Sequence, residues 1–111
     1  MTEREIDKAI QRISKTFKAL SNPIRLRILL LCAAEEKTSR ELREALGISK
    51  PLLIAHLKKL LSTGLLEYRV EMDERKMIVR KYYKTKTDAL CVTEMLKALD
   101  FNPESGERLK S

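Results

Sequence analysis

Hydrophobic residues near the start of the chain recur at helical spacing. They are separated alternately by four and three positions and comprise Ile6, Ile10, Ile13, Phe17 and Leu20. One face of an α-helix shows this spacing, so we expect a first helix over about residues 3–20. Asn22 is expected to cap a second helix over about residues 23–35, with Pro23 in its first turn. This helix is apolar nearly all round from Ile28 to Ala34, which predicts a central core position.

Two further helices are predicted on either side of Gly47. Thr38 or Ser39 is expected to cap the third helix, with Glu41 completing a capping box. Gly47 suits the left-handed residue that ends this helix. Ser49 is expected to cap a fourth helix over residues 49–63. The side chains predicted to face inward are Leu42, Ala45 and Leu46 in the third helix and Leu53, Leu57, Leu60 and Leu61 in the fourth.

After Gly64 the hydrophobic period changes to two. Apolar residues alternate with charged ones from Leu66 to Met72, a polar turn follows, and a β-branched and aromatic run leads to Lys84. This pattern predicts a β-hairpin over about residues 65–84. A last helix is expected to begin at Thr87 or Asp88, and residues 101–111 are expected to form a flexible tail.

The order of elements, α-α-α-α-β-β-α, predicts a mainly α fold with a small β-hairpin. A short helix, a turn containing glycine and a second helix are typical of a helix-turn-helix, and the hairpin behind it would be a wing. We therefore expect residues 1–100 to form one winged helix-turn-helix domain. We also expect a dimer, because one small core cannot cover the apolar stripes of both the first and the last helix. The residues predicted at the dimer interface are Ile6, Ile10, Ile13, Phe17, Cys91, Val92, Met95, Leu96 and Leu99.

The net charge of +7 is concentrated in the middle of the 111-residue chain. Residues 49–86 hold 10 lysines and arginines against 4 acidic residues, which is a surplus of +6. A basic segment of this kind is typical of a protein that binds a polyanion. We therefore expect double-stranded DNA as the partner.

The sequence lacks the signals that are typical of several other classes of protein. No apolar run approaches the length of about 18 residues that a membrane span needs, and the charged N-terminus does not resemble a signal peptide. Two cysteines are too few for a disulfide framework. These features favour a cytoplasmic protein without a membrane partner. There is no glycine-rich phosphate loop, nucleophile motif or histidine–acid pair, so we do not expect an enzyme.

The fourth helix offers little polar chemistry for reading bases. Its predicted outward arc contains no Arg, Asn or Gln, which are the residues that make bidentate bonds to base edges. Three interpretations remain open: apolar contacts to thymine methyl groups, readout mainly by the wing and by DNA deformability, or a protein interface. The residues predicted to contact DNA are Ser49, Lys50, Pro51, Leu52, Ile54, Ala55, His56, Lys58, Lys59, Arg69, Arg75, Lys76 and Arg80.

A transcription regulator is the function that these features favour. The alternatives are a winged-helix protein-interaction module that docks through Leu52 and Ile54, and an architectural DNA binder of low sequence specificity.

Three segments resemble the ArsR-type winged-helix repressors, the arsenical-resistance and metal-sensor regulator family. They are FKALSNPIRLRILLLC, SRELREALGISKPLLIAHLKKLLSTGLL and RKYYKT. The matching positions are Leu20, Pro23, Arg25, Leu26, Ile28, Leu29, Glu41, Leu42, Leu46, Ile48, Ser49, His56, Leu57, Leu60, Gly64, Leu65, Tyr82 and Tyr83. The resemblance implies a homodimer, built on the first and last helices, that binds operator DNA and is released by an inducer.

The chain departs from this family at its familiar metal sites. Many members carry a cysteine pair on the third helix, whereas residues 41–46 contain no thiol. Others carry Asp and His ligands on the last helix, whereas Asp88 is followed by no histidine. A soft metal needs two to four clustered Cys or His ligands. We therefore expect no metal and no cofactor, and the effector is unknown.

Overall fold

The computed structural model describes residues 2–86 of the chain. These residues form four helices followed by a two-stranded antiparallel hairpin. The elements are α1 (Glu3–Leu20), α2 (Pro23–Ala34), α3 (Ser39–Leu46), α4 (Lys50–Ser62), β1 (Leu66–Asp73) and β2 (Ile78–Thr85). This confirms the predicted order up to the end of the hairpin. The predicted last helix and tail lie outside the described residues.

The helices begin and end at residues whose side chains cap them. The Asn22 side chain accepts hydrogen bonds at the start of α2, and Ser49 does so at the start of α4. Thr38, the first of the two candidates for α3, forms a reciprocal capping box with Glu41. Gly47 ends α3 with φ 64°, a left-handed conformation that costs a residue without a Cβ very little. The turn between α3 and α4 therefore follows from local sequence.

The core lies between α2, α3, α4 and the base of the hairpin. It consists of Ala19, Ile28, Leu29, Cys32, Leu42, Leu53, Leu57, Leu60, Leu65, Leu66 and Tyr83. α2 takes the predicted central position, since it contacts α1, α3, α4 and β2 and supplies Ile28, Leu29 and Cys32 to the core. Its Leu30 is nevertheless 72% exposed. The prediction that Ala45 of α3 faces inward is wrong, because this side chain is exposed.

The hairpin is anchored at its base and projects beyond it. The Thr85 hydroxyl donates a buried hydrogen bond of 2.7 Å to the carbonyl of Leu29 in α2. The backbone of Lys37, in the α2–α3 loop, pairs with Tyr83 through two hydrogen bonds of 3.0 and 2.8 Å. Beyond Leu66 the apolar face of β1 is exposed. The alternating pattern therefore marks the strand correctly, although little of its apolar face is buried.

α1 packs on the domain through its small residues. Ala9, Thr16 and Ala19 are buried, whereas Ile10 is 50% and Phe17 is 45% exposed. The predicted apolar stripe of α1 is thus partly uncovered in the protomer. None of the helices within residues 2–86 combines the length and the apolar character of a membrane span.

Candidate nucleic-acid interface

An open groove of about 900 Å³ runs between the start of α3, the length of α4 and strand β2. Leu53 and Leu57 of α4 contribute apolar side chains to its wall. The cationic residues that line it are Arg40, Lys50, Lys58, Arg80 and Lys81, against the single carboxylate of Glu41. Because a lining of one charge sign focuses the electrostatic field, this groove attracts anions.

Most of the cations in the groove are free to bind an anion. Arg40 pairs with Glu44 in an exposed salt bridge of 3.1 Å. Lys50, Lys58 and Arg80 form no salt bridge with another residue in the range 2–86. Lys81 lies 4.8 Å from the ring centre of Tyr68. The residues predicted to contact DNA included Arg80 of β2 but neither Arg40 nor Lys81. Only the fold brings the start of α3, with Arg40, beside α4.

The exposed side of α4 is the side predicted from its sequence. Leu53, Leu57 and Leu60 are buried, whereas Pro51, Leu52, Ala55, Lys58 and Lys59 are exposed. Ile54 is 38% exposed and lines the groove. The predicted rotation of the helix is therefore confirmed, and apolar residues stand beside lysines on its outer surface. The Ser49 hydroxyl accepts a hydrogen bond from the Leu52 amide and caps the helix.

His56, one of the predicted DNA contacts, lies inside the domain. It is 8% exposed, and its Nδ1 atom accepts a hydrogen bond of 3.2 Å from Nε of Arg25 in α2. Burial, and after it the positive charge of Arg25, holds the pKa of His56 below its usual value. The side chain therefore packs α4 against α2.

Arg69, another predicted DNA contact, is held by carboxylates. Its Nε atom donates to both oxygens of Glu36 at 3.0 Å, and its Nη1 atom donates to Glu71 at 2.7 Å. Its guanidinium also lies 4.5 Å from the ring centre of Tyr82. The hydrogen bond from Arg69 lowers the pKa of Glu36. Arg69 therefore ties the hairpin to the α2–α3 loop, and its charge is already compensated.

The tip of the hairpin presents its cations to solvent. The Asp73 carboxylate accepts hydrogen bonds from the amides of Arg75 and Lys76 at 3.1 and 3.3 Å. Met77 completes the turn with φ 52°, a conformation that few residues with a side chain adopt. The side chains of Arg75 and Lys76 are exposed and form no salt bridge with another described residue. The tip thus offers two exposed positive charges on a backbone turn held by Asp73.

The described part of the chain shows no metal centre. Within residues 2–86, no three His, Cys, Asp or Glu side chains come together in a way that could hold a metal ion. Cys32 is completely buried, and burial raises the pKa of its thiol to about 11. Its side chain is therefore a neutral part of the core. Asp88 and Cys91 lie outside the described residues.

A helix-turn-helix followed by a hairpin, with a cationic groove between them, defines the winged helix-turn-helix class of DNA-binding transcriptional regulators. The chain belongs to the ArsR family of bacterial regulatory proteins, whose family model matches residues 22–68. An uncharacterized HTH-type transcriptional regulator of Methanocaldococcus jannaschii is 35% identical over 74 residues, covering 67% of this chain and 76% of that protein. The resemblance drawn from the sequence is therefore confirmed.

Two further proteins are similar to this chain. A biofilm growth-associated repressor of Xylella fastidiosa is 30% identical over 69 residues, covering 62% of this chain and 60% of that protein. A solved winged helix-turn-helix DNA-binding domain from Mycobacterium bovis, described as homodimeric and as a possible ArsR-family regulator, superposes with a TM-score of 0.69. It is 27% identical, and the match covers 88% of this chain and 85% of that one. These relatives are regulators, a class without catalytic activity.

Proposed function

We propose that the protein is a homodimeric transcription regulator that inserts α4 into the major groove of DNA and places the hairpin on the adjacent backbone or minor groove. The observation that carries the proposal is the cationic groove beside the exposed arc of α4. α4 has 13 residues and is therefore about 20 Å long. Its width suits a major groove of about 12 Å, and a DNA strand on α4 would pass the cations of β2.

The exposed side chains of α4 differ in the part of DNA that each could contact. Lys50, Lys58 and Lys59 are exposed and suit phosphate contacts, which give affinity without sequence preference. Leu52 and Ile54 are apolar and partly exposed, so they suit the C5-methyl group of thymine. We infer a preference for sites that contain A/T pairs, with further selectivity from DNA deformability.

Dimerisation would use the uncovered side of α1. Ile10 and Phe17 are half exposed, and large apolar side chains in such a position suit a protein interface. The homodimeric state of the M. bovis domain supports this assignment. In the proposed dimer the predicted last helix, which lies outside the described residues, would complete the interface of a domain of residues 1–100. Two copies of α4 would lie about 34 Å apart and reach successive turns of the major groove. As a regulator that binds chromosomal DNA, the protein would act in the cytoplasm.

Selection of bound sequences from a randomised duplex library tests the proposal. We expect enriched sites with two related half-sites about one helical turn apart, and an affinity that falls steeply with salt. Binding without enrichment and with the same salt dependence would identify an architectural DNA binder. An absence of binding at low salt would instead favour a protein-interaction module.

Two lysine variants test the orientation on DNA. Lys58→Ala should weaken binding to all sequences alike and reduce the salt slope by about 1 for each protomer. Lys15→Ala removes the same charge from the exposed surface of α1 and serves as the matched control. Equal effects of the two variants would mean that overall charge, and not α4, determines the affinity.

A further inference from the structure

One arginine side chain connects three of the four helices. Arg25, in the first turn of α2, donates from Nε to Nδ1 of His56 in α4 at 3.2 Å. Its Nη1 atom donates to the carbonyls of Lys18 and Ala19 near the end of α1, at 3.4 and 3.3 Å. The Lys18 carbonyl also accepts from the Ser21 amide and hydroxyl at 3.3 and 2.9 Å. Both carbonyls carry the partial negative charge of the helix C-terminus, which suits a cation. The guanidinium therefore joins the end of α1 to the middle of α4.

The hydrogen bond to α4 requires a neutral imidazole. Nδ1 of His56 can accept a hydrogen bond from Arg25 only if its lone pair is free, so the ring proton must lie on Nε2. Protonation would turn Nδ1 into a donor that faces another donor, beside a permanent positive charge. Among residues 2–86, Arg25 is the charged side chain in hydrogen-bond contact with His56, and no carboxylate bonds to the ring. Nothing described on α1, α2 or α4 would offset the new charge.

We infer that the Arg25–His56 hydrogen bond holds α4 in the orientation that DNA binding requires, and that protonation of His56 releases it, so that acid weakens binding. This inference rests on the proposed role of α4. His56 directly follows Ala55 and lies one turn from Leu52 and Lys59, so a change in its packing moves the outer arc. The exposed side chains of α4 must be held in place, because contacts to base edges require well-defined distances and angles.

The sign of the expected effect separates this inference from ordinary electrostatics. Protonation of a surface histidine adds positive charge and tightens binding to DNA. Protonation of His56 should have the opposite effect, because DNA-bound protein would hold the ring neutral and the proton would be released on binding. Burial, and after it the charge of Arg25, holds the pKa of His56 below the ordinary histidine value of about 6.5. The change should therefore occur on the acid side of that value.

Acid should also lower the stability of the free protein. The unfolded chain binds a proton at His56 at a higher pH than the folded chain does. The contribution of the neutral pair is therefore fully present above about pH 6.5 and is lost as the pH falls towards the lower folded pKa.

The test compares the pH profiles of wild type and His56→Asn on the duplex selected from the library, at constant ionic strength, from about pH 5 to about pH 8. The asparagine oxygen can accept from Arg25 but does not titrate. Wild-type affinity should fall by up to about tenfold per pH unit and per protomer below the pKa of His56, since one proton is released. The profile of His56→Asn should lack this fall, whatever its affinity at neutral pH. Parallel profiles would overturn the inference.

A second measurement does not depend on the variant or on DNA. Nitrogen NMR of the His56 ring in free wild-type protein should show a bare Nδ1 and a protonated Nε2 at neutral pH. The amide signals of α4 should shift together with the titration of the ring. A ring that titrates without any change in the α4 signals would overturn the inference. If wild type bound no duplex at any pH, the proposed function would fail, whereas these signals would still report on the Arg25–His56 pair.

Discussion

Ile54→Ala measures how much of this side chain faces DNA and how much faces the domain. The substitution removes three carbon atoms, and at about 0.8 kcal/mol for each buried methylene their full burial contributes about 2.4 kcal/mol. Ile54 is 38% exposed in the protomer. About 1.5 kcal/mol should therefore be lost from the free energy of unfolding, and about 1 kcal/mol from DNA binding, if DNA covers the exposed part. The second figure corresponds to about a fivefold rise in Kd.

Both quantities are measured on the same preparations, by denaturant unfolding and by fluorescence anisotropy of the selected duplex. Ile54→Val removes one carbon atom and should show about a third of each loss. Replacing thymine by uracil in the duplex removes the methyl group that Ile54 is proposed to touch. The replacement should weaken DNA binding by wild type more than DNA binding by Ile54→Ala, because the variant already lacks the side chain that would touch the methyl group. A stability loss of the full 2.4 kcal/mol or so with unchanged affinity would show that Ile54 faces the domain alone.

Three further predictions concern the hairpin and the dimer. Replacing Arg75 and Lys76 together with alanine should lower the salt slope of DNA binding by up to about 2 for each protomer, and an unchanged slope would remove the tip from the interface. Arg69→Ala and Glu36→Ala should both weaken DNA binding, because both break the tie that positions the hairpin; an effect of Arg69→Ala alone would indicate a direct phosphate contact. Phe17→Asp should shift the protein from dimer to monomer in sedimentation experiments and weaken binding to paired half-sites, whereas an unchanged mass would exclude this face of α1 from the interface.

Local sequence determined the elements and much of the candidate site. Asn22, Thr38 and Ser49 cap helices, and Gly47 provides the left-handed turn of the helix-turn-helix. These effects act over a few residues, so they can be read without knowledge of the fold. The rotation of α4 also follows from its leucine spacing, since a buried stripe defines the opposite exposed arc.

The tertiary structure alone decided which charged and polar groups remain available. His56 is 31 positions from Arg25, and Arg69 is 33 positions from Glu36, yet each pair is in hydrogen-bond contact. Both residues lie in the segment of residues 49–86, whose net charge is positive, and the sequence analysis placed them among the DNA contacts. Charge and periodicity give the chemistry of a side chain and the face of its own helix or strand on which it lies. Whether a distant partner neutralises or buries it depends on how the elements pack, because such pairs form only where the fold brings the two chain segments together.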